Sequence, residues 1–187
     1  CAASETALKL DISVFWLGQD QRGGRMLWRA NGFTPLRVSN HAVEAAWGAY
    51  PRVDDAYAFG YQENGHTFYQ ITFPTATQRV FPTNPGSGAT LVQGATWVYD
   101  CATQMWHERP RWDNRYGLWR QHRALCHCHL WGQHLVGDYA SGRIYRMGQD
   151  LNDDAGEQLR RVRIAPTVAA EGKLIFYHSL HLDMDVG

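Results

Sequence analysis

The sequence predicts an all-β protein made of β-propeller blades, four-stranded antiparallel meanders that together form a partial propeller. Three observations predict it. Short runs of β-formers alternate along the chain with Gly-bearing turns, as at Asn31-Gly32, Asn64-Gly65 and Ser141-Gly142. The runs group into sets about 45 to 65 residues apart, each with Trp or Tyr near a strand end. Only one short stretch carries a helical pattern. A β-sandwich would space its strands evenly, by about 8 to 12 residues, where this chain groups them as hairpins.

The elements follow in order. Ile12 to Leu17 reads as a buried strand, Gln19 to Gly24 as a loop, Arg25 to Ala30 as a second strand, Asn31-Gly32 as a type I′ turn and Phe33 to Val38 as a third strand. Ser39 or Asn40 then caps a short helix carrying Val43 and Trp47, which Gly48 and Pro51 end. Ala56 to Glu63 and His66 to Phe73 pair across Asn64-Gly65, and Pro74 should stop the pairing. Residues from about 75 to 94, rich in Pro, Gly, Thr and Ser, read as a long loop insertion. Thr96 to Asp100 and Met105 to Glu108 form the next hairpin around Cys101 to Gln104. Ala124 to Trp131, Gln133 to Tyr139 and Arg143 to Met147 make three further strands, and Leu159 to Ile164 a fourth after an acidic loop. Leu174 to Met184 begins another unit.

The chain has 187 residues, 44% hydrophobic and 19% charged, with 18 Gly and 7 Pro, which excludes disorder, collagen and long coiled coil. That length suits a single domain over 1–187, able to bury about 70% of its extended surface. Basic and acidic residues balance at 18 each, so the overall charge implies no polyelectrolyte partner. Arg supplies 16 of the 18 basic residues, and aromatics reach 13%, a mixture suited to rings stacked under guanidinium groups. No apolar run approaches the roughly 18 residues of a membrane helix, so no membrane partner is expected. Beginning on Cys1 and not Met, the sequence reads as processed or as a piece of a longer reading frame.

Candidate chemistry is sparse. Cys126, His127, Cys128 and His129 alternate, which sends both thiols to one strand face and both imidazoles to the other. That split argues against a zinc site and for reduced, buried strand cysteines, so no metal or other cofactor is expected. The adjacent acids Asp54, Asp55 and Asp153, Asp154 read as solvated loop residues. Without a nucleophile elbow, a Walker loop, a dinucleotide fingerprint or a His-Glu-x-x-His pattern, the motifs specify no enzyme. Gly65 and His66, followed by Trp97 and Asp100, echo the Gly-His and Trp-Asp marks of propeller repeats, where His and Asp brace strands. Trp106 and Asp138 complete the structural signature residues. Between His107 and Arg123, the arginines Arg109, Arg111, Arg115 and Arg120 interleave with Trp112, Tyr116 and Trp119. They can contact phosphates, or brace neighbouring blades against carboxylates, and bracing is the favoured reading.

These segments carry a family resemblance. Asp55 to Tyr61, Gly65-His66-Thr67-Phe68-Tyr69, Phe73-Pro74, Thr96 to Asp100, Trp106-His107-Glu108-Arg109, His134 to Tyr139, Ser141 to Tyr145 and Ser179 to Met184 stand in an order that resembles the packaged-DNA stabilisation protein of short-tailed bacteriophages. The resemblance implies a structural, non-catalytic virion protein of the viral tail, made in the bacterial host cytoplasm. It would assemble as a homo-oligomeric ring with the portal-adaptor and tail-needle proteins, plugging the portal channel after DNA packaging until genome ejection. Packaged double-stranded DNA would be only a non-specific neighbour. Chains of that family are considerably longer. The alternative from a different class is a glycan-binding or glycan-cleaving propeller module, which would gather Trp28, Trp47 and Trp119 around one cavity.

Overall fold

Alternating burial organises the molecule. The computed structural model describes residues 1–80 and 90–164, with 174, 176, 178, 179 and 181, and within them the chain is mostly antiparallel β. A 3-10 turn, Ser4–Thr6, leads into β1 (Leu8–Leu10), β2 (Ser13–Gln19), β3 (Arg25–Asn31) and β4 (Thr34–Arg37), which form one meander. Helix α1 (His41–Gly48) follows, its N-terminus capped by the Asn40 side chain, which accepts from the Val43 amide at 3.0 Å. A second meander comprises β5 (Tyr57–Glu63), β6 (His66–Val80), β7 (Thr90–Asp100) and β8 (Met105–Glu108). The ribbon β9 (Arg111–Asp113) and β10 (Leu118–Arg120) leads to a three-stranded sheet of β11 (Ala124–Leu130), β12 (Gln133–Asp138) and β13 (Ile144–Met147). A two-residue ribbon, β14 (Asp153–Asp154) and β15 (Glu157–Gln158), closes the described strands. Among the described residues no sheet closes on itself.

The three larger sheets stack with the second in the middle. On β5, Ala58 and Gly60 face one way while Phe59 and Tyr61 face the other. The first side, with Tyr69, Ile71 and Phe73 of β6, packs on Leu10, Phe15, Leu17 and Leu27 of the first sheet, with Trp47 of α1 in the same core. Gly60 lets the sheets approach closely there, since a Cβ at that position would meet the Leu10 Cδ1 methyl at 2.4 Å and Leu10 would have to shift. The second side meets Ala124 and Val136 of the third sheet in a smaller core, with Tyr145 and Met147 against it. All three sheets open on a two-residue hairpin whose first turn residue has positive φ: Asp11 at 55°, Asn64 at 49° and Trp131 at 53°. At Asn64-Gly65 and Trp131-Gly132 both turn residues have positive φ, as a type I′ turn requires.

Several expectations need correction. Pro74 does not end the pairing, because β6 runs on to Val80 and β7 starts at Thr90. The register shifts between Phe73 and Thr77, so Pro74 falls in a bulge where a missing N–H costs no ladder bond. Of the expected insertion, only 81–89 lies outside the described residues. The Asn31-Gly32 turn is displaced by one, since Asn31 pairs with Thr34 and the loop is Gly32-Phe33. Leu159 to Ile164 forms no strand, and most of Leu174 to Met184 lies outside the described residues. Cys126 and Cys128 do share a face, but both are exposed, because the imidazole face is the one turned onto the second sheet. No helix among the described residues is long and apolar enough to cross a membrane.

Candidate functional site

The signature residues sit at strand ends. Gly65 forms the β5–β6 turn, and the next residue, His66, places Nδ1 2.8 Å from Asp100 Oδ2 at the far end of β7. Asp100 also accepts from the Ala102 amide at 2.9 Å and the Thr103 hydroxyl at 2.7 Å. Burial acts to raise its carboxyl, but those donors and His66 outweigh it and hold Asp100 below the usual carboxylate range. Asp138 repeats the device 38 residues later (138 minus 100), accepting from the Ala140 amide and the Ser141 hydroxyl. The recurring pattern is Val98-x-Asp100-x-Ala102-Thr103 against Val136-x-Asp138-x-Ala140-Ser141. Trp97 and Trp106 belong to the core, Trp97 donating to the Tyr50 hydroxyl at 2.9 Å and Trp106 to the Val38 carbonyl at 3.3 Å.

Arg109 crosses from β8 onto the opposite side of the second sheet. It donates to the Tyr61 hydroxyl at 2.6 Å and to Gln70 Oε1 at 3.3 Å. With its oxygen engaged, the buried Gln70 amide nitrogen faces His122 Nδ1 at 3.2 Å, which also accepts from the Ala124 amide at 3.2 Å. Two donors on one ring nitrogen require that nitrogen to be unprotonated. Desolvation first, then Arg109 and Arg123, push His122 down to about 3, and desolvation with His134 and His129 lowers His127 to about 4.

Both rings stay neutral in the fold where the unfolded chain, with ordinary histidines near 6.5, takes up protons. The unfolded state therefore binds more protons as pH falls below about 6.5, and stability should fall, by at most about 1.4 kcal/mol per pH unit per histidine. Urea midpoints between pH 7 and 4 check this. His122→Asn, which keeps an acceptor near the Nδ1 position, should flatten the profile, and an unchanged slope would show that His122 does not carry it.

The remaining arginines divide. Arg120 Nε donates to Asp113 Oδ2 at 2.7 Å, and Arg111 lies between Asp113 at 3.9 Å and Glu157 at 3.5 Å. Asp113 also accepts from the Arg115 and Tyr116 amides. Arg115 itself is exposed, with its guanidinium 5.3 Å from the Tyr116 ring. Sequence reasoning missed Gln70, Glu157 and the roles of His122 and Asp113; it marked Arg123 only as the end of the arginine-rich stretch, and it read Asp154 as a solvated loop acid, where the structure puts it in β14, 17% exposed and bound to Arg123. Only the Asp-x-x-Ser/Thr spacing could have signalled this kind of turn, because the other partners lie far apart in sequence.

A cleft of about 1020 Å³ opens where β8, β13 and the β14–β15 ribbon converge. Arg109, Arg111 and Arg123 line it with Trp119, Tyr145, Glu108 and Asp154. Burial raises both the Glu108 and Asp154 carboxyls, so the cleft holds groups able to exchange protons, although Asp154 is bound to Arg123 at 3.0 Å. The three tryptophans do not share a cavity: Trp47 is fully buried, Trp28 lies half-buried in β3, and only Trp119 reaches the cleft. Compared with known protein families, curated proteins and solved structures, the chain matches none.

Proposed function

We propose that this chain is a structural component of a short-tailed phage tail hub, an arc of propeller blades that helps plug the portal channel and stabilise packaged DNA. The observation that carries the reading is where the arginine-rich stretch points. Arg120 donates to Asp113, Arg109 donates to Tyr61 and Gln70, and Arg111 lies within ion-pair range of Asp113 and Glu157 although its buried Nε has no hydrogen-bond partner among the described residues, so of the four only Arg115 has neither a hydrogen bond nor an ion pair from its side chain among them. Arginines held by the protein's own groups stiffen neighbouring units and leave little to grip DNA, as suits a plug that retains DNA by blocking a channel. The ordered resemblance supplies the partners: the portal-adaptor and tail-needle proteins, in a ring, within the virion.

The test is genome retention. Particles assembled without this protein should package DNA and then lose it, and supplying the protein should restore retention. Its own affinity for DNA should be weak, indifferent to sequence and lost as salt rises, because any contact runs through surface arginines to phosphates and not to base edges. A sequence-dependent affinity that survives high salt would overturn the plug and point to a DNA reader.

A further inference from the structure

We infer that the cleft between β8, β13 and the β14–β15 ribbon binds a small acidic sugar, whose carboxylate is held by Arg111. The inference goes beyond the plug reading and needs neither an oligomer nor a portal. Arg111 stands in β9 opposite Arg120 of β10, and its side chain, 11% exposed, lines the cleft. Among the described residues that side chain makes no hydrogen bond: Asp113 at 3.9 Å and Glu157 at 3.5 Å lie in ion-pair range only, and the buried Nε has no partner. Both carboxylates are already served. Asp113 accepts from Arg120 and from the Arg115 and Tyr116 amides, and Glu157 accepts from Arg123. A guanidinium so far withdrawn from water with its donors unused is costly, and an oxyanion in the cleft relieves that cost through the Nη groups. The cleft's neighbouring arginines are engaged, Arg109 with Tyr61 and Gln70, Arg123 with Asp154 and Glu157.

The surroundings choose the anion. Arg111, Arg120 and Arg123 stand against Asp113, Asp154 and Glu157, three charges against three, so a dianion such as a phosphate monoester would set its second charge against those acids. A carboxylate carries one charge, and its two oxygens match two parallel N–H groups of a guanidinium. The rest of the cleft suits a sugar. Trp119, braced edge-on against Trp112 at 5.0 Å, and Tyr145 offer ring faces to the cleft. Glu108, whose carboxyl makes no hydrogen bond or ion pair among the described residues, can accept from sugar hydroxyls. A volume of about 1020 Å³ stands near the upper end, roughly 1,000 Å³, of small-molecule clefts.

Ligand-detected NMR titrations of the 187-residue chain with D-glucuronate, D-glucose and acetate at pH 7, with inorganic phosphate as competitor, test this. Glucuronate should bind at least roughly tenfold more tightly than glucose, which lacks the carboxylate, or acetate, which lacks the ring, and phosphate should displace it poorly. Arg111→Gln should stay folded by circular dichroism, because Asp113 and Glu157 keep Arg120 and Arg123. It should weaken glucuronate by about tenfold to a hundredfold and leave glucose unchanged, the loss of hydrogen bonds to a charged group. Arg115→Gln, outside the cleft, should change neither. Equal binding of glucose and glucuronate, or ready displacement by phosphate, overturns the acidic-sugar site. Absence of binding overturns it too, whether the cleft is inert or filled by the chain itself. A folded Arg111→Gln that binds glucuronate as the wild type does removes Arg111 as the anchor, and if that variant fails to fold, the wild-type comparison of the three ligands decides.

Discussion

Replacing Trp47 with Ala should cost about 3 to 5 kcal/mol, the range for emptying a large aromatic site in a core. That is a substantial fraction of the roughly 5 to 15 kcal/mol holding a typical domain together. Trp47 is fully buried on the inner face of α1, with its ring centroid 5.2 Å from Phe73 and 5.5 Å from Trp106. It thereby joins the helix to β6 and β8, and Arg25 of β3 donates to its carbonyl at 2.5 Å. Its indole N–H is buried and finds no acceptor among the described residues, so Trp47→Phe removes an unsatisfied donor along with some packing and should cost clearly less. Urea unfolding of the two variants checks the order. Equal losses would mean that the phenyl ring kept in Trp47→Phe gains nothing over Ala in this site.

What could be read in advance follows from the range over which each signal acts. Turn chemistry is local, and Asn64-Gly65 sits where its residue types put it, with both φ values positive. The Asn40 cap and the one helix are equally local. The expected end of pairing at Pro74 failed because a proline's effect depends on its partner strand: opposite an intact ladder it breaks a bond, and inside a bulge it breaks none. The cysteines failed for a related reason. A period of two assigns residues to two faces without saying which face is covered, and here Phe59 and Tyr61 of a distant strand cover His127. His66 and Asp100 stand out because a motif names them, but Gln70 carries none, and its partners Arg109 and His122 lie 39 and 52 residues away along the chain.

Arg123→Leu should lower stability by about 2 to 3 kcal/mol, below the 3 to 5 kcal/mol of a fully buried pair because the partners are partly solvated. Arg123 donates through Nε to Asp154 at 3.0 Å and through Nη2 to Glu157 at 2.9 Å, fixing the β14–β15 ribbon to the segment that leads into β11. Its side chain is 16% exposed, against 17% for Asp154 and 34% for Glu157. Asp154 Oδ2 already lacks a partner among the described residues, and burial holds its carboxyl above the usual range even beside Arg123. Without the guanidinium that carboxyl should rise further. The folded variant then holds a proton that the unfolded chain, with an ordinary aspartate near 3.9, has released, so this carboxyl offsets part of the loss that the histidines cause in both proteins and the variant's deficit against wild type narrows toward pH 4. Adding Asp154→Asn to Arg123→Leu should recover part of the loss at pH 7 by removing the uncompensated charge. Arg123→Lys should restore only part, because one ammonium cannot fork to both carboxylates. An Arg123 that serves an outside phosphate gives a different result: the single variant would stay within about 0.5 kcal/mol of wild type and the second substitution would restore nothing.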